Sequence, residues 1–314
     1  MHRGSFGDSW PRIIGTGCTS KFMRRVLVGS AAAVFLIAVV AWVLGSTLVE
    51  PRNHAVSLPT GFDAQIVSIL GSGHAIAGWW VERGGGSRVV LLLHGVRADR
   101  ASMVSRAQLL IRNGFSVLLI DLQAEGETPG EAITLGYRES GDVVAARDWI
   151  RSRASGRRIG VIGESMGGAS VLLAPQPSEF DAVVLEAVYP RIGRAVENRI
   201  RMWLGPLAPV LTPLLLVQLQ PRLHISEADL EPIRLIGRLG APVLVVAGSR
   251  DEHTTLAESQ ELFGAAVAPK SLWVVEGAKH QDLLRYDPKG YEEHVVGFLT
   301  NTLMIGIQSS RTTP

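Results

Sequence analysis

RIGVIGESMGGAS, residues 158–170, is the stretch on which the fold turns. A short apolar run, Arg158–Ile162, leads into Gly163-Glu164-Ser165-Met166-Gly167, and a row of small residues follows. A serine between two glycines is weak evidence alone, since glycine-rich chains produce such matches by chance. It gains meaning when a strand precedes it, a helix follows it, and an acid and then a histidine come later in the chain. The glycines have a steric task in that setting. A sharp strand-to-helix turn crowds its neighbours, and Gly163 and Gly167 remove side chains that would collide. Gly168 and Ala169 let the helix approach the sheet. A helix N-terminus there supplies unpaired N–H groups and the positive end of a dipole.

The surrounding pattern meets the first two conditions. Ala64–Leu70 and His74–Glu82 read as two strands around Gly71-Ser72-Gly73. Arg88–Leu93 (RVVLLL), Phe115–Ile120, Arg158–Ile162, Ala182–Leu185, Pro242–Ala247 and Ser271–Val275 are short apolar runs of buried-strand type. Helical spacing falls between them, at residues 99–113, 139–153, 165–174, 254–265 and 290–303. Strands alternating with helices predict a mostly parallel α/β sheet covered on both faces, with the two leading strands as an antiparallel edge. From 188 to 240 the alternation breaks. Ile192, Val196, Ile200 and Trp203 share a helical face, and WLGPLAPVLTPLLLVQLQP (203–221) is uncharged and cut by Pro206, Pro209, Pro213 and Pro221. Each proline removes a helix hydrogen bond, so the expectation is a helical cap at about 189–235 rather than a second membrane span.

A nucleophilic serine needs a base, and the base an orienting acid. Asp251 lies just past strand 242–247, in GSRDEHT, and His280 just past strand 271–275, in EGAKHQDL. Both fall at the strand C-terminal edge, where sites form in open α/β sheets. Glu186, which ends the preceding strand, is a rival for the acid. His253 shares a loop with Asp251; His224, His294 and His74 fall in the cap, the closing helix and an early strand. Glu252 and Asp282 read as solvated neighbours. An oxyanion needs preorganised donors. The backbone N–H of Met166, after the serine, is one, and that of Val96, in LLLHGVRAD, is the other, with Gly95 allowing close approach. His94 reads as a structural hydrogen-bonding residue.

LLLHGVRADR, DLQAEGET, GYRESGDVVAARDWI, IGVIGESMGGAS, APVLVVAGSRDEHT and VEGAKHQDL, in this order, resemble the alpha/beta-hydrolase superfamily, and within it the serine aminopeptidase and esterase-like branch. The resemblance covers about residues 60–303. It implies a mostly parallel eight-stranded sheet with helices on both faces, a catalytic triad, and no cofactor or metal. The nucleophile maps to Ser165, the acid to Asp251, the histidine to His280 and the oxyanion donors to Val96 and Met166. One departure stands out. After Asp121 the family often has Gly-x-Gly-x-Ser, and this chain has Ala124-Glu125-Gly126-Glu127-Thr128, in a loop that borders the site.

The remaining sequence sets the context. Of 314 residues, 46% are hydrophobic and 19% charged, the formal charge is +2, and Cys18 is the sole cysteine. That balance excludes a nucleic-acid partner and a disulfide framework. Val26–Gly45 (VLVGSAAAVFLIAVVAWVLG) has no charge and is long enough to cross a bilayer. Arg12, Lys21, Arg24 and Arg25 precede it and only Arg52 follows closely. The positive-inside rule then makes 1–25 a cytoplasmic tail, 26–48 a signal-anchor, 49–60 a linker, 61–303 an extracytoplasmic hydrolase domain and 304–314 a tail. The alternative is a signal peptide, with the domain secreted or periplasmic after cleavage and translation starting at Met23. Trp79-Trp80 read as strand packing, with membrane contact as the other option. Arg191, Arg194 and Arg201 read as a solvated face, with lipid phosphate or an anionic substrate as the other. The expected activity is hydrolysis of a carboxylic ester, thioester or amide through an acyl-enzyme on Ser165. A small-molecule or lipid-like acyl group is the substrate, and Trp203, Leu207, Val210 and Leu214–Leu216 its apolar pocket. The alternatives are an aminopeptidase-like amide hydrolase and a hydrolase-fold binding protein without turnover. The oligomeric state is not legible.

Overall fold

The computed structural model describes residues 17–71, 73–83, 88–175 and 179–304, with side chains from Phe22 onward. The tail before Gly17 with Arg12, the side chains of Cys18 and Lys21, and the tail from 305 on lie outside the described residues. The chain forms two compact units, one ending at Leu44 and one starting at Gly45.

The first unit belongs to one helix, α1 (Gly17–Val49). Its Phe22–Val49 portion has a mean hydropathy of 2.6 and is a candidate membrane span. Its large side chains, from Phe22 to Leu44, are exposed.

The second unit runs β1 (Arg52–Asn53), β2 (Gln65–Leu70), β3 (Ala75–Val81), β4 (Arg88–Leu93), α2 (Val104–Arg112), β5 (Ser116–Ile120), β6 (Glu125–Gly126), α3 (Glu139–Arg153), β7 (Arg158–Glu164), α4 (Met166–Leu173) and β8 (Ala182–Glu186). The cap follows, as α5 (Ile192–Leu204), α6 (Ala208–Leu216), α7 (Leu219–Leu223) and four 3-10 turns. The chain closes with β9 (Val243–Gly248), α8 (Leu256–Ala265), β10 (Lys270–Val275), α9 (Leu283–Tyr286), α10 (Pro288–Tyr291) and α11 (Gly297–Met304). Eight strands form one sheet in the order β10-β9-β8-β7-β4-β5-β3-β2. β3 pairs antiparallel with both β2 and β5, and the other pairs are parallel.

The side-chain alternation of a strand explains the two cores. Along β4, Val89, Leu91 and Leu93 face one apolar cluster with Val143 and Ile150 of α3 and Met166 and Val171 of α4. Val90 and Leu92 face the other, with Ala107 and Leu110 of α2 and Leu299 of α11. A strand buried on both faces reads as an unbroken apolar run, as RVVLLL does. Trp79 and Trp80 belong to these cores, Trp79 against Phe62 and Trp80 edge-on to Trp149. Packing, not membrane contact, is their role.

Ile192–Leu223 is long and apolar enough for a second span. The chain instead breaks at Gly205, whose φ is +52°, and proline-rich α6 folds back on α5.

The residues expected to be a linker are built into the second unit. Ile133 donates its N–H to Val49 O at 2.9 Å, Arg52 to Ala124 O at 2.7 Å and His54 to Gly126 O at 2.8 Å. Asn53 Nδ2 adds a bond to Thr128 O at 2.7 Å. β1 therefore pairs in parallel with β6. That is what the unusual loop Ala124–Thr128 does: it is the strand on which the incoming chain docks.

Candidate active site

β7 ends at Glu164 and α4 begins at Met166, so one residue, Ser165, makes the turn. It has φ +49° and ψ −113°, a region costly for a residue with a side chain and held only where the surroundings leave no alternative. The surroundings here are backbone. A Cβ built on Gly163 would come 2.5 Å from Gly168 Cα, and one on Gly167 2.6 Å from Leu93 O. Ser165 N–H is fixed to Glu186 O at 2.8 Å. No larger residue fits either flank, so the serine stands out at the sheet edge.

Asp251 and His280 come together at that same edge, in the loops after β9 and β10. His280 Nδ1 lies 2.8 Å from Asp251 Oδ2. The other carboxylate oxygen accepts the N–H groups of His253 at 2.8 Å and Thr254 at 2.9 Å. Asp251 is thus buried with every acceptor face used, which fixes the imidazole plane and its Nδ1–H tautomer. The His253 ring stacks on the His280 ring with centroids 4.6 Å apart. Burial, with the Arg199 and His280 charges, pulls His253 down to about 4, so it is a neutral plate beside His280. Ser165 Oγ makes no hydrogen bond among the described residues, and in this ligand-free geometry it has not engaged the imidazole.

Two backbone donors flank the serine. Met166 is the first residue of α4, where helix geometry offers its N–H no acceptor. The Val96 N–H also has no acceptor among the described residues. Its neighbour Gly95 lies against the serine, at 3.5 Å from a built Cβ to Ser165 Cβ. His94, fully buried, accepts the Leu122 N–H on Nε2 at 3.0 Å and bonds Gly95 O through Nδ1 at 2.8 Å. Both ring nitrogens are committed, and its work is to shape the loop.

Glu186 faces away from the imidazole. It accepts from Arg106 Nη2 at 2.6 Å and from Tyr291 OH. Arg106, on α2, also reaches Glu164 at 3.2 Å and Asp282 at 3.3 Å. One buried guanidinium thereby ties the residue before Ser165, the strand end that holds its N–H, and the loop two residues past His280. Burial opposes the Arg106 charge, but Glu186, Tyr291 and Glu164 outweigh it and raise its pKa. Asp282 is therefore part of this cluster, not a solvated bystander. Sequence reading missed Arg106, although it stands between Met103 and Leu110 on an otherwise apolar helical face, and a lone cation there signals a buried partner.

The cap residues divide. Trp203, Leu207, Val210 and Leu214 are exposed. Leu215 and Leu216 do border a cavity, but one of only about 50 Å³, shared with Leu48, Val49, Ile192 and Leu219. The end of α1 lines the same small cavity. Arg191 pairs with Glu261 at 2.7 Å, and Arg194 and Arg201 both pair with Glu197. A separate concavity of about 600 Å³ runs along Leu70, Gly141 and Trp149 and includes none of Ser165, Asp251 and His280. Among the described residues no cluster of His, Cys, Asp or Glu is suited to a metal.

Comparison with known proteins gives a consistent result. Residues 86–236 match the family described as serine aminopeptidase, S33. An uncharacterized protein of Mycobacterium tuberculosis is 31% identical over 254 residues, covering 79% of this chain and 83% of that protein. An uncharacterized protein of Bacillus subtilis is 23% identical over 234 residues, covering 73% and 76%. Among solved structures, an esterase of Pyrococcus furiosus has a TM-score of 0.68 at 22% identity, covering 82% of this chain and 98% of its own.

Glu125 yields a test of the loop beside the oxyanion donors. Its side chain is buried, accepts the Arg97 N–H and leaves Oε2 without a partner. Burial pushes its carboxyl from 4.5 up to about 8, and Glu139 and Asp121 push the same way. The folded chain then holds a proton that the unfolded chain releases, so stability falls as pH rises through that window. Glu125→Gln should match the parent in thermal midpoint near pH 5 and gain on it progressively toward pH 8. Parallel curves for the two proteins would remove Glu125 as the source.

Proposed function

The chain belongs to the alpha/beta-hydrolase superfamily, in its serine aminopeptidase and esterase-like branch, and from that premise we propose a serine hydrolase that forms an acyl-enzyme on Ser165. The observation that carries this reading is the Asp251–His280 bond of 2.8 Å at the edge where the Ser165 turn projects. In the proposed reaction Ser165 Oγ attacks the acyl carbonyl while His280 Nε2 takes its proton. Asp251 keeps Nδ1–H oriented and steadies the imidazolium. The negative oxygen falls to the N–H groups of Val96 and Met166. His280 then gives its proton to the leaving group, and water, activated by the same imidazole, releases the acid. Apo geometry often leaves such contacts loose until substrate closes them.

Among ester, thioester and amide, we favour an oxygen or sulfur ester over an aminopeptidase substrate. An aminopeptidase holds an ammonium and needs anions at its mouth. Here the charge acting on Asp251 and His253 from the cap is Arg199, and Arg97 is close enough to act on Arg199. Neither Arg191, Arg194 nor Arg201 takes this position. The similar fold of the Pyrococcus furiosus esterase agrees with the ester reading.

We also read α1 as a retained anchor with the hydrolase domain outside the cytoplasm. Residues just past its apolar run are structural parts of the domain: Ser46 Oγ accepts from Arg222 Nη1 at 2.8 Å, and β1 completes a pairing with β6. Cleavage beyond residue 53 would remove these contacts.

Ser165→Ala should keep the parent's melting behaviour and lose up to about six orders of magnitude in ester turnover. It should also lose labelling by a fluorophosphonate probe. Turnover within tenfold of the parent sinks the nucleophile assignment.

Arg199→Glu should lower kcat/KM for an anionic hemisuccinate ester severalfold relative to its neutral analogue, and raise it for a cationic choline ester. Equal changes on all three would show that this arginine is not at the mouth.

Mass analysis of the protein from washed membranes should find residues 26–48 present, and protease added outside spheroplasts should cut the domain. A mature chain beginning after residue 45 in the soluble fraction would establish the signal-peptide alternative.

A further inference from the structure

The cap carries a feature that hydrolysis does not use. From Met202 to Pro221 the chain has no charged residue. Folded, this stretch turns only part of itself inward. Ala208 and Thr212 are buried under α6, and Leu219 under α7. The opposite side is open: Trp203 is 85% exposed, Val210 71% and Val217 69%, with Leu204, Leu207 and Leu214 also exposed. Val210, Leu214 and Val217 are spaced i, i+4 and i+7, one face of a helix. Trp203, Leu204 and Leu207 extend it at the turn between α5 and α6. A contiguous apolar surface rimmed by polar groups is seldom left to water.

The structure also indicates what covers it. Gln218 directly follows Val217, and its side chain lies so tightly against Gly45 that a Cβ on Gly45 would overlap it. Arg222, one turn later, bonds Ser46. Gly45 lies in the last turn and a half of the candidate span Phe22–Val49, within an uncharged run that extends from Val26 to Val49. The apolar face of the cap therefore begins one residue from the side chain that grips the end of the candidate span. No length of tether separates the two. Any bilayer crossed by that run reaches its boundary where the cap is attached. The face suits that boundary chemically. It has a tryptophan, whose amphipathic ring favours the headgroup level, and branched aliphatic side chains able to sit in the outer acyl region.

We propose that Trp203, Leu204, Leu207, Val210, Leu214 and Val217 form an interfacial contact that seats the cap in the lipid leaflet at the end of α1. This contact rests on α1 being retained as a membrane anchor, and is independent of the chemistry at Ser165. Its consequence is that the cap, which overhangs the candidate active site, is held at the lipid surface by two points rather than one.

Site-specific quenching tests it on the full-length chain. Cys18→Ser supplies a cysteine-free parent, and Trp203→Cys, Val210→Cys, Val34→Cys and Lys289→Cys each carry one bimane label. The proteins are reconstituted in phosphatidylcholine–phosphatidylglycerol vesicles, with and without lipids bearing a nitroxide on the acyl chain. Circular dichroism melting matched to the parent verifies each fold, and two cap positions guard against loss of one. Labels at 203 and 210 should be quenched severalfold more than that at exposed Lys289, approaching that at Val34 within α1. Quenching at 34 with 203 and 210 no different from 289 overturns the cap contact and leaves the anchor standing. Absence of quenching at 34 overturns both. If 203 and 210 escape lipid quenching but are shielded from aqueous iodide, and Val210→Cys crosslinks between chains, a second copy covers the face and the proposal fails.

Discussion

The turn at Ser165 is the constraint around which the domain is arranged. A parallel strand must pass into a helix within one residue, at φ +49°, and the helix must then return across the sheet. That is possible only if nothing larger than hydrogen occupies the three positions where backbone meets backbone, Gly163, Gly167 and Gly168. The steric demand fixes where β7 ends and how closely α4 lies on β4 and β8. It also leaves the Met166 N–H unpaired beside the serine. The turn that projects the candidate nucleophile is thus the same turn that leaves the candidate oxyanion donor unpaired.

Arg106 holds the rest of that edge. A fully buried cation is expensive to desolvate and is tolerated only with partners placed to answer it. Its partners come from the strand before Ser165, the strand after, and the loop of His280. Removing Glu186, the one partner fully buried with it, would leave Arg106 answered only by two partly exposed carboxylates, and the cluster is a source of registry more than of net stability. It keeps three separately encoded segments at fixed spacing, as a reaction dependent on sub-ångström alignment requires. It also disposes of Glu186 as a triad member, because its carboxylate is engaged below the sheet edge and not toward the imidazole.

The N-terminal segment is joined to the same architecture. Residues 45–54 contact the cap, the 133 loop and β6 in turn, and Leu48 and Val49 fill space under the cap. The cap is thereby packed on a piece of chain that continues from an apolar helix. A hydrolase that builds the end of its candidate anchor into its cap cannot treat that helix as a mere address. The replacement of the first glycine of that loop by Ala124 goes with this pairing: Ala124, Glu125 and Gly126 form a strand edge for Arg52 and Asn53.

Much of this was legible in the residues alone. Buried parallel strands announce themselves as unbroken apolar runs, so all eight strands of the sheet, and the helices between them, could be read to within a few residues. Gly-x-Ser-x-Gly between a strand and a helix identified Ser165, and the order of later strands pointed to Asp251 and His280. Local periodicity and chain order are written in sequence, because each depends on neighbours only a few positions apart. What the sequence left undecided was every pairing between distant segments. The choice of Asp251 over Glu186 as the partner of His280 depends on Arg106, 80 residues from Glu186. The packing of Leu48 and Val49 beside Leu215 and Leu216, and the outward face of Trp203 and Val210, depend on how α6 packs. A side chain's burial is set by what the folded chain brings against it, and that is a property of tertiary structure alone.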